Sequence, residues 1–265
     1  MQKQPIVLFE NKSHCCLCFD SLVTGEGVQA NQFLIIDNDQ RMILDPGGDL
    51  TYMPLSLALS KLFPLQDLDY VFASHQDPDI IASIDKWLLY TNAKVVCSKL
   101  WSRFLPHLTA GYLSTSKGLS TYERVIPVGD RGALMRLGRC QLKILPAHFM
   151  HSVGNLQIYD PISKILFSGD IGVSLVEDAN PVQDFVAHEQ YMRGFHRRYI
   201  ASNRVARLWV AMIRKLDVDM IIPQHGRPFV GKAMIEAFLC WVEKQQCGID
   251  LLGPDDFQVP QYDLK

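Results

Sequence analysis

Four times along this chain a short apolar run gives way, within a few residues, to a histidine or an aspartate. That recurrence limits the available folds more than any other feature. Phe72-Ala73 leads into Ser74-His75-Gln76-Asp77-Pro78-Asp79, and Leu142 to Leu145 leads towards His148. Ile165 to Phe167 leads into Ser168-Gly169-Asp170, and Met220 to Ile222 into Pro223-Gln224-His225-Gly226. Short apolar runs of this kind are strands, and side chains leaving neighbouring strands at one end of a sheet can meet. On extended backbone alternate residues share a side, so His75, Asp77 and Asp79 can face one cavity. Gly169 and Gly226 allow the chain to turn sharply beside Asp170 and His225.

The order of elements around these positions sets the fold class. Strands are expected at Ile6–Phe9, Cys15–Leu22, Phe33–Ile36 and Met42–Leu44, with turns at Gly25-Glu26-Gly27 and Asp45-Pro46-Gly47-Gly48. A helix over Pro54–Phe63, a strand at Tyr70–Ala73 and a helix over Ile81–Leu89 follow. Strands resume at Gln141–Leu145, Leu156–Tyr159 and Ile165–Phe167. A long helix over Asn203–Lys215, the strand Met220–Ile222 and a helix over Lys232–Lys244 complete the pattern. Two runs of strands, each followed by helices, predict an α/β fold in which two sheets pack face to face with helices outside: a four-layer αββα sandwich. No repeat or Pro/Gly/Ser-rich tether interrupts residues 1–265, so they are expected to form one domain.

Composition excludes several classes of function. Of 265 residues, 48% are hydrophobic and 20% charged, enough to bury a large core. The net charge of −2, with Lys and Arg dispersed, leaves no footprint for nucleic acid or an anionic membrane surface. No apolar run approaches the roughly 20 residues that span a bilayer, and the opening Met1-Gln2-Lys3-Gln4-Pro5 lacks the apolar stretch of a signal peptide. A cytoplasmic protein is expected. The seven cysteines include Cys15-Cys16-Leu17-Cys18, but no second pair completes a zinc site and the segment has the pattern of an apolar strand, so these are expected in the core.

Three histidines and three aspartates thus stand at strand ends: His75, Asp77, Asp79, His148, Asp170 and His225. Each alone has an ordinary explanation. His75 can be a hydrogen-bonded loop histidine, Asp77-Pro78-Asp79 a turn and helix cap, and Asp170 and His225 turn residues. Their joint occurrence points to metal. Imidazole and carboxylate without thiolate suit iron, manganese or zinc in an open site rather than a closed structural zinc centre. An aspartate between two ions about 3.5–4 Å apart can bridge them. Iron could then bind dioxygen, whereas zinc could only activate water.

The series His75-x-Asp77-x-Asp79, His148, Ser168-Gly169-Asp170 and Pro223-Gln224-His225-Gly226 resembles the metallo-β-lactamase superfamily over nearly the whole chain. Within it the sequence is most similar to the β-lactamase-like module of flavodiiron proteins and, more closely, to their stand-alone relatives, the oxygen-binding di-iron proteins. The resemblance implies two irons, dioxygen as ligand, and the αββα fold. It makes His75, Asp77 and His148 ligands of one iron, Asp79 and His225 ligands of the other, and Asp170 the bridge. Two positions depart from the wider pattern. Hydrolases of the superfamily usually carry histidine where Asp77 stands, and the carboxylate favours iron over zinc. Flavodiiron modules usually have glutamate at that position and a histidine directly after the equivalent of Asp79, where this chain has Ile80. The second iron is therefore expected to have an open or water-filled position.

The resemblance implies an oxygen sensor or oxygen-handling protein, with a signalling partner or an external electron donor, and association as a homodimer. Nothing after His225 is long enough for the flavodoxin-like domain that supplies electrons in flavodiiron proteins, which favours binding and sensing over reduction of dioxygen or nitric oxide. His151 is placed to orient a ligand or hydrogen-bond bound oxygen, and Tyr199 to line the pocket. A metal-dependent hydrolase using a bridging hydroxide is the alternative, and it predicts zinc. A scaffold that has lost its metal is disfavoured, because all six positions hold competent side chains.

Overall fold

The computed structural model describes residues 4–108, 121–176 and 178–261. Its first sheet runs in sequence order through β1 (Ile6–Glu10), β2 (His14–Phe19), β3 (Gln32–Asp37), β4 (Gln40–Leu44), β5 (Tyr70–Phe72), β6 (Lys94–Ser98) and β7 (Val125–Val128). The strands are antiparallel as far as β4 and parallel from β4 to β7. The second sheet joins β8 (Ala133–Leu137), β9 (Cys140–Pro146), β10 (Leu156–Asp160), β11 (Ile165–Phe167), β12 (Met220–Ile222) and β13 (Phe229–Val230), in the order β13-β12-β11-β10-β9-β8. Only β11 and β12 are parallel there. Both therefore end on the same edge, which brings the turns carrying Asp170 and His225 together.

Burial accounts for the layering. One apolar cluster, with Leu34, Ile43, Val71 and Trp87, lies between the first sheet and the helices α1 (Asp49–Leu59), α2 (Pro78–Ile81), α3 (Ile84–Tyr90) and α4 (Lys99–Ser102). A second, with Leu166, Ile221, Trp209 and Phe238, lies between the second sheet and α5 (Phe185–Tyr199), α6 (Asn203–Ile213) and α7 (Lys232–Lys244). The third, with Phe33, Met42, Phe72, Ile158 and Phe167, fills the space between the sheets. The period-two alternation of each strand feeds one residue to the helices and the next to the partner sheet. This is the four-layer αββα sandwich expected from the sequence.

Several boundaries differ from the sequence reading. The first helix begins at Asp49, five residues before Pro54, and carries that proline inside it. The strands at 94–98, 125–128, 133–137 and 229–230 were not foreseen. Neither was α5, because its buried stripe is His188, Met192 and His196 at helical spacing instead of aliphatic residues. Its start does carry a signal: the Asp184 carboxylate accepts hydrogen bonds from the Val186 and Ala187 N–H groups. Cys16 and Cys18 face the core between the sheets, Cys15 is half-buried, and all seven cysteines are free thiols. No helix of the described residues is long and apolar enough to cross a membrane.

Candidate metal centre

Five of the six strand-end residues come together where the ends of β5, β11 and β12 meet. His75 Nε2 lies 3.7 Å from Asp77 Oδ2 and 3.6 Å from Asp170 Oδ2. His225 Nε2 lies 3.1 Å from Asp79 Oδ2 and 3.8 Å from Asp170 Oδ1. The buried Asp170 thus turns one oxygen to each of two groups.

His148 is not in either group. Its Nε2 is 2.7 Å from the carbonyl of Asp130 and its Nδ1 3.3 Å from that of Val153, so the ring is engaged by backbone away from the carboxylates. The imidazole that joins them is His151, whose Nε2 is 2.9 Å from Asp77 Oδ2 and 3.7 Å from Asp170 Oδ2. The cause is local. After β9 the chain makes a tight turn in which Phe149 N–H donates to Ser152 O and Met150 N–H to Ala147 O. Phe149 and His151 adopt left-handed φ values of +63° and +80°. Non-glycine residues are uncommon there, and the resulting twist carries residue 151, not 148, over the cluster. The sequence placed His151 beside the site as a residue orienting a ligand, but with no glycine to mark the turn it held nothing to rank His151 above His148 as the imidazole that joins the carboxylates.

Neighbouring groups aim the imidazoles. His225 Nδ1 lies 2.6 Å from Gln29 O, and a carbonyl can only accept, so Nδ1 carries the proton and Nε2 faces Asp79 and Asp170. Ser74 Oγ is 2.9 Å from His75 Nδ1, and Ser74 N–H donates to Asp45 Oδ1 at 2.7 Å. His151 packs edge-on against His75 and Tyr199, with ring centroids 5.1 Å and 5.3 Å away. Tyr199 stacks on Phe195 at 4.7 Å. Both rings, with Val28, Leu175 and Arg198, line a cavity of about 500 Å³ whose floor includes Asp77, Asp79, His151, Asp170 and His225.

The electrostatics are those of a site short of positive charge. The hydrogen bond from His151, and then the neighbouring His75 imidazole, hold Asp77 well below the usual carboxylate range. Burial alone would raise Asp79 and lower His225, but their contact wins, holding Asp79 down and His225 up. Burial would likewise lower His75, yet Asp77, Asp170 and Asp45 raise it to about 9. Burial pushes Asp45 up to about 6. Protons on His75 and His225 supply charge that the carboxylates require, and a dication would supply the same charge in their place.

The donor set also fits metal at the level of single atoms. His75 Nε2 and Asp170 Oδ1 are buried without a hydrogen-bond partner, a costly state for polar atoms in a protein interior. His75, Asp77, His151 and Asp170 each offer one donor atom within a common 4.8 Å span. In the second group Asp79 and His225 face Asp170, while Ile80 is fully buried in the apolar cluster and offers no donor.

Residues 28–226 match the family described as ODP family beta lactamase. Among solved structures the chain is similar to the apo state of the chemotaxis sensor ODP from T. denticola, with 36% identity over 94% of this chain and 97% of that one, and a TM-score of 0.80. A structure described as the peroxy diiron species of the chemotaxis sensor ODP is 37% identical over 92% of this chain and 97% of that one, again at 0.80. The rubredoxin oxygen:oxidoreductase of Desulfovibrio gigas shares the fold at 13% identity and a TM-score of 0.72, covering 90% of this chain and 61% of that one. An uncharacterised protein of Methanocaldococcus jannaschii is 25% identical over 78% of this chain, which spans about half of that relative's length, 51%.

Proposed function

Because the chain belongs to the ODP family of β-lactamase-fold proteins, we propose that it is a di-iron protein that binds dioxygen and serves as an oxygen sensor. In this reading His75, Asp77 and His151 hold one iron, Asp79 and His225 the other, and Asp170 bridges them. The observation that carries it is Asp170, whose two carboxylate oxygens face two separate groups of ligands, one of them unpartnered. The likeness to a chemotaxis sensor supports a sensing role.

Iron at this site would supply electrons and an open coordination position for dioxygen. The chain's residues shape where that occurs. At the position after Asp79, Ile80 is buried in the apolar cluster and adds no donor to Asp79 and His225, so an iron held there would keep room for an exogenous ligand. The Gln29 carbonyl fixes the tautomer of His225, and Ser74 steadies His75. Tyr199 and Phe195 hold the His151 ring from outside and give the cavity an apolar wall. Three carboxylates against three imidazoles make the site harder than the usual zinc hydrolase set, which favours iron.

The test is metal content and visible absorption of anaerobically purified, reduced protein, before and after admitting air. Two irons per chain and a new oxygen-dependent band are expected. Two zincs and an unchanged spectrum would move the assignment to a hydrolase.

A further inference from the structure

His196 lies outside the cluster, yet both of its ring nitrogens are committed. Its Nδ1 lies 2.9 Å from the carbonyl of Met192, and its Nε2 lies 3.0 Å from the backbone nitrogen of Gly172. A carbonyl only accepts and an N–H only donates, so the ring must be neutral with its proton on Nδ1. It is fully buried, edge-on to Trp241 at 5.0 Å, and burial pushes its pKa down to about 4, consistent with that form.

Gly172 lies two residues beyond Asp170. The near side of that turn is held by Ser168, whose hydroxyl donates to Ile171 O at 2.6 Å and whose carbonyl accepts from Ile171 N–H at 3.1 Å. On the far side Gly172 has φ +101°, and a Cβ there would stand 2.9 Å from the Phe229 ring. Its N–H points inward, where His196 Nε2 accepts it. A buried N–H without an acceptor is disfavoured enough that the turn would re-form around another partner. Helix α5 therefore grips the site twice: Phe195 and Tyr199 press on His151, and His196 holds the turn of Asp170.

We propose that His196 is a positioning residue for the bridging carboxylate, its neutral ring holding the Ser168–Val173 turn in the form that offers one oxygen of Asp170 to each half of the cluster. This rests on the di-metal reading above. Phenylalanine at 196 would fill the aromatic surroundings but leave Gly172 N–H unpaired. Glutamine would keep an oxygen able to accept it.

The experiment measures Fe(II) affinity, by anaerobic competition with a chromophoric chelator, and the thermal midpoint with and without Fe(II), for the wild type, His196→Phe and His196→Gln. His196→Phe is expected to bind Fe(II) about 10–100-fold more weakly, as when partners behind metal ligands are lost. Its midpoint should rise less when iron is added. His196→Gln should recover most of both effects. A purely structural residue would lower the metal-free midpoint and leave Fe(II) affinity unchanged. That result, or glutamine as weak as phenylalanine, overturns the proposal. The wild type supplies a second check should the phenylalanine variant fail to fold. Its ¹⁵N imidazole spectrum should show His196 as the Nδ1–H tautomer from about pH 8 to about pH 5, and an Nε2–H or charged ring overturns the proposal. A wild type that takes up no Fe(II) overturns the di-metal reading, and the proposal with it, whatever the variants do.

Discussion

Replacing Asp160 by asparagine should break a polar clamp that ties the two sheets together. His14, on β2 of the first sheet, places Nδ1 2.9 Å from Asp37 Oδ1 in its own sheet and Nε2 2.6 Å from Asp160 Oδ2 on β10 of the other. Asp160 is fully buried and also accepts from Ile162 N–H at 2.9 Å, from the Ser163 hydroxyl, and from the thiols of Cys16 and Cys140 at 3.3 Å and 3.4 Å. Burial alone would raise its pKa, but His14 and Ser163 hold it at about 2 against an ordinary 3.8. At about 1.4 kcal/mol per tenfold change in proton affinity, this favours the charged form by roughly 2–3 kcal/mol. Asparagine removes that charge and leaves a buried imidazolium facing Asp37 alone. Loss of one partner from a buried pair costs about 3–5 kcal/mol, which for a chain of this size lowers the melting temperature by roughly 6–20 °C. Urea titration near pH 6 should show an earlier midpoint with an unchanged slope, since the surface exposed on unfolding is the same. The sign of the pH dependence follows from the two directions. The depressed pKa of Asp160 gives a contribution present above about pH 4 and lost as pH falls through its folded value. Burial would lower His14, but its two aspartates raise it, so its contribution is full below about pH 6.5 and fades as pH rises through its folded value. The gap between wild type and variant should therefore be widest between about pH 4 and about 6.5 and narrow on both sides. A difference below about 1 kcal/mol inside that window would refute the clamp.

His151→Ala should lose bound iron, whereas His148→Ala should keep it, because only the first imidazole reaches Asp77 and Asp170; metal analysis of both variants decides, and the reverse result would restore His148 as the ligand. Asp170→Ala should cost both metals, since each group faces one of its oxygens; one retained iron per chain would remove the bridge. Metal uptake near pH 7 should release protons, and affinity should fall as pH is lowered, because His75, raised to about 9, must give up its proton to bind. Uptake measured in weakly buffered solution with a pH indicator checks this, and no release would place the metal elsewhere.

The two-sheet architecture was legible because strand alternation and turn chemistry are local. Tyr70–Phe72, Leu156–Asp160, Ile165–Phe167 and Met220–Ile222 stand where their apolar runs predict. Helix α5 was not legible, because its inward face is histidine and methionine, which carry no apolar signature until the aromatic surroundings of Phe229, Phe238 and Trp241 are assembled around them. His14 was unreadable for the same reason: its partner Asp160 lies 146 residues away, and only sheet packing brings them within 2.6 Å.

The sequence alone determined which kinds of donor gather at the strand ends and that His75, Asp77, Asp79, Asp170 and His225 can meet, because extended backbone and parallel pairing project them to one edge. Tertiary structure decided which histidine completes the group. The reason is that two left-handed residues, Phe149 and His151, sit in a turn held by hydrogen bonds that include Ala201 N–H to Phe149 O, a contact only the folded chain makes, and no local preference in the sequence would have placed them there.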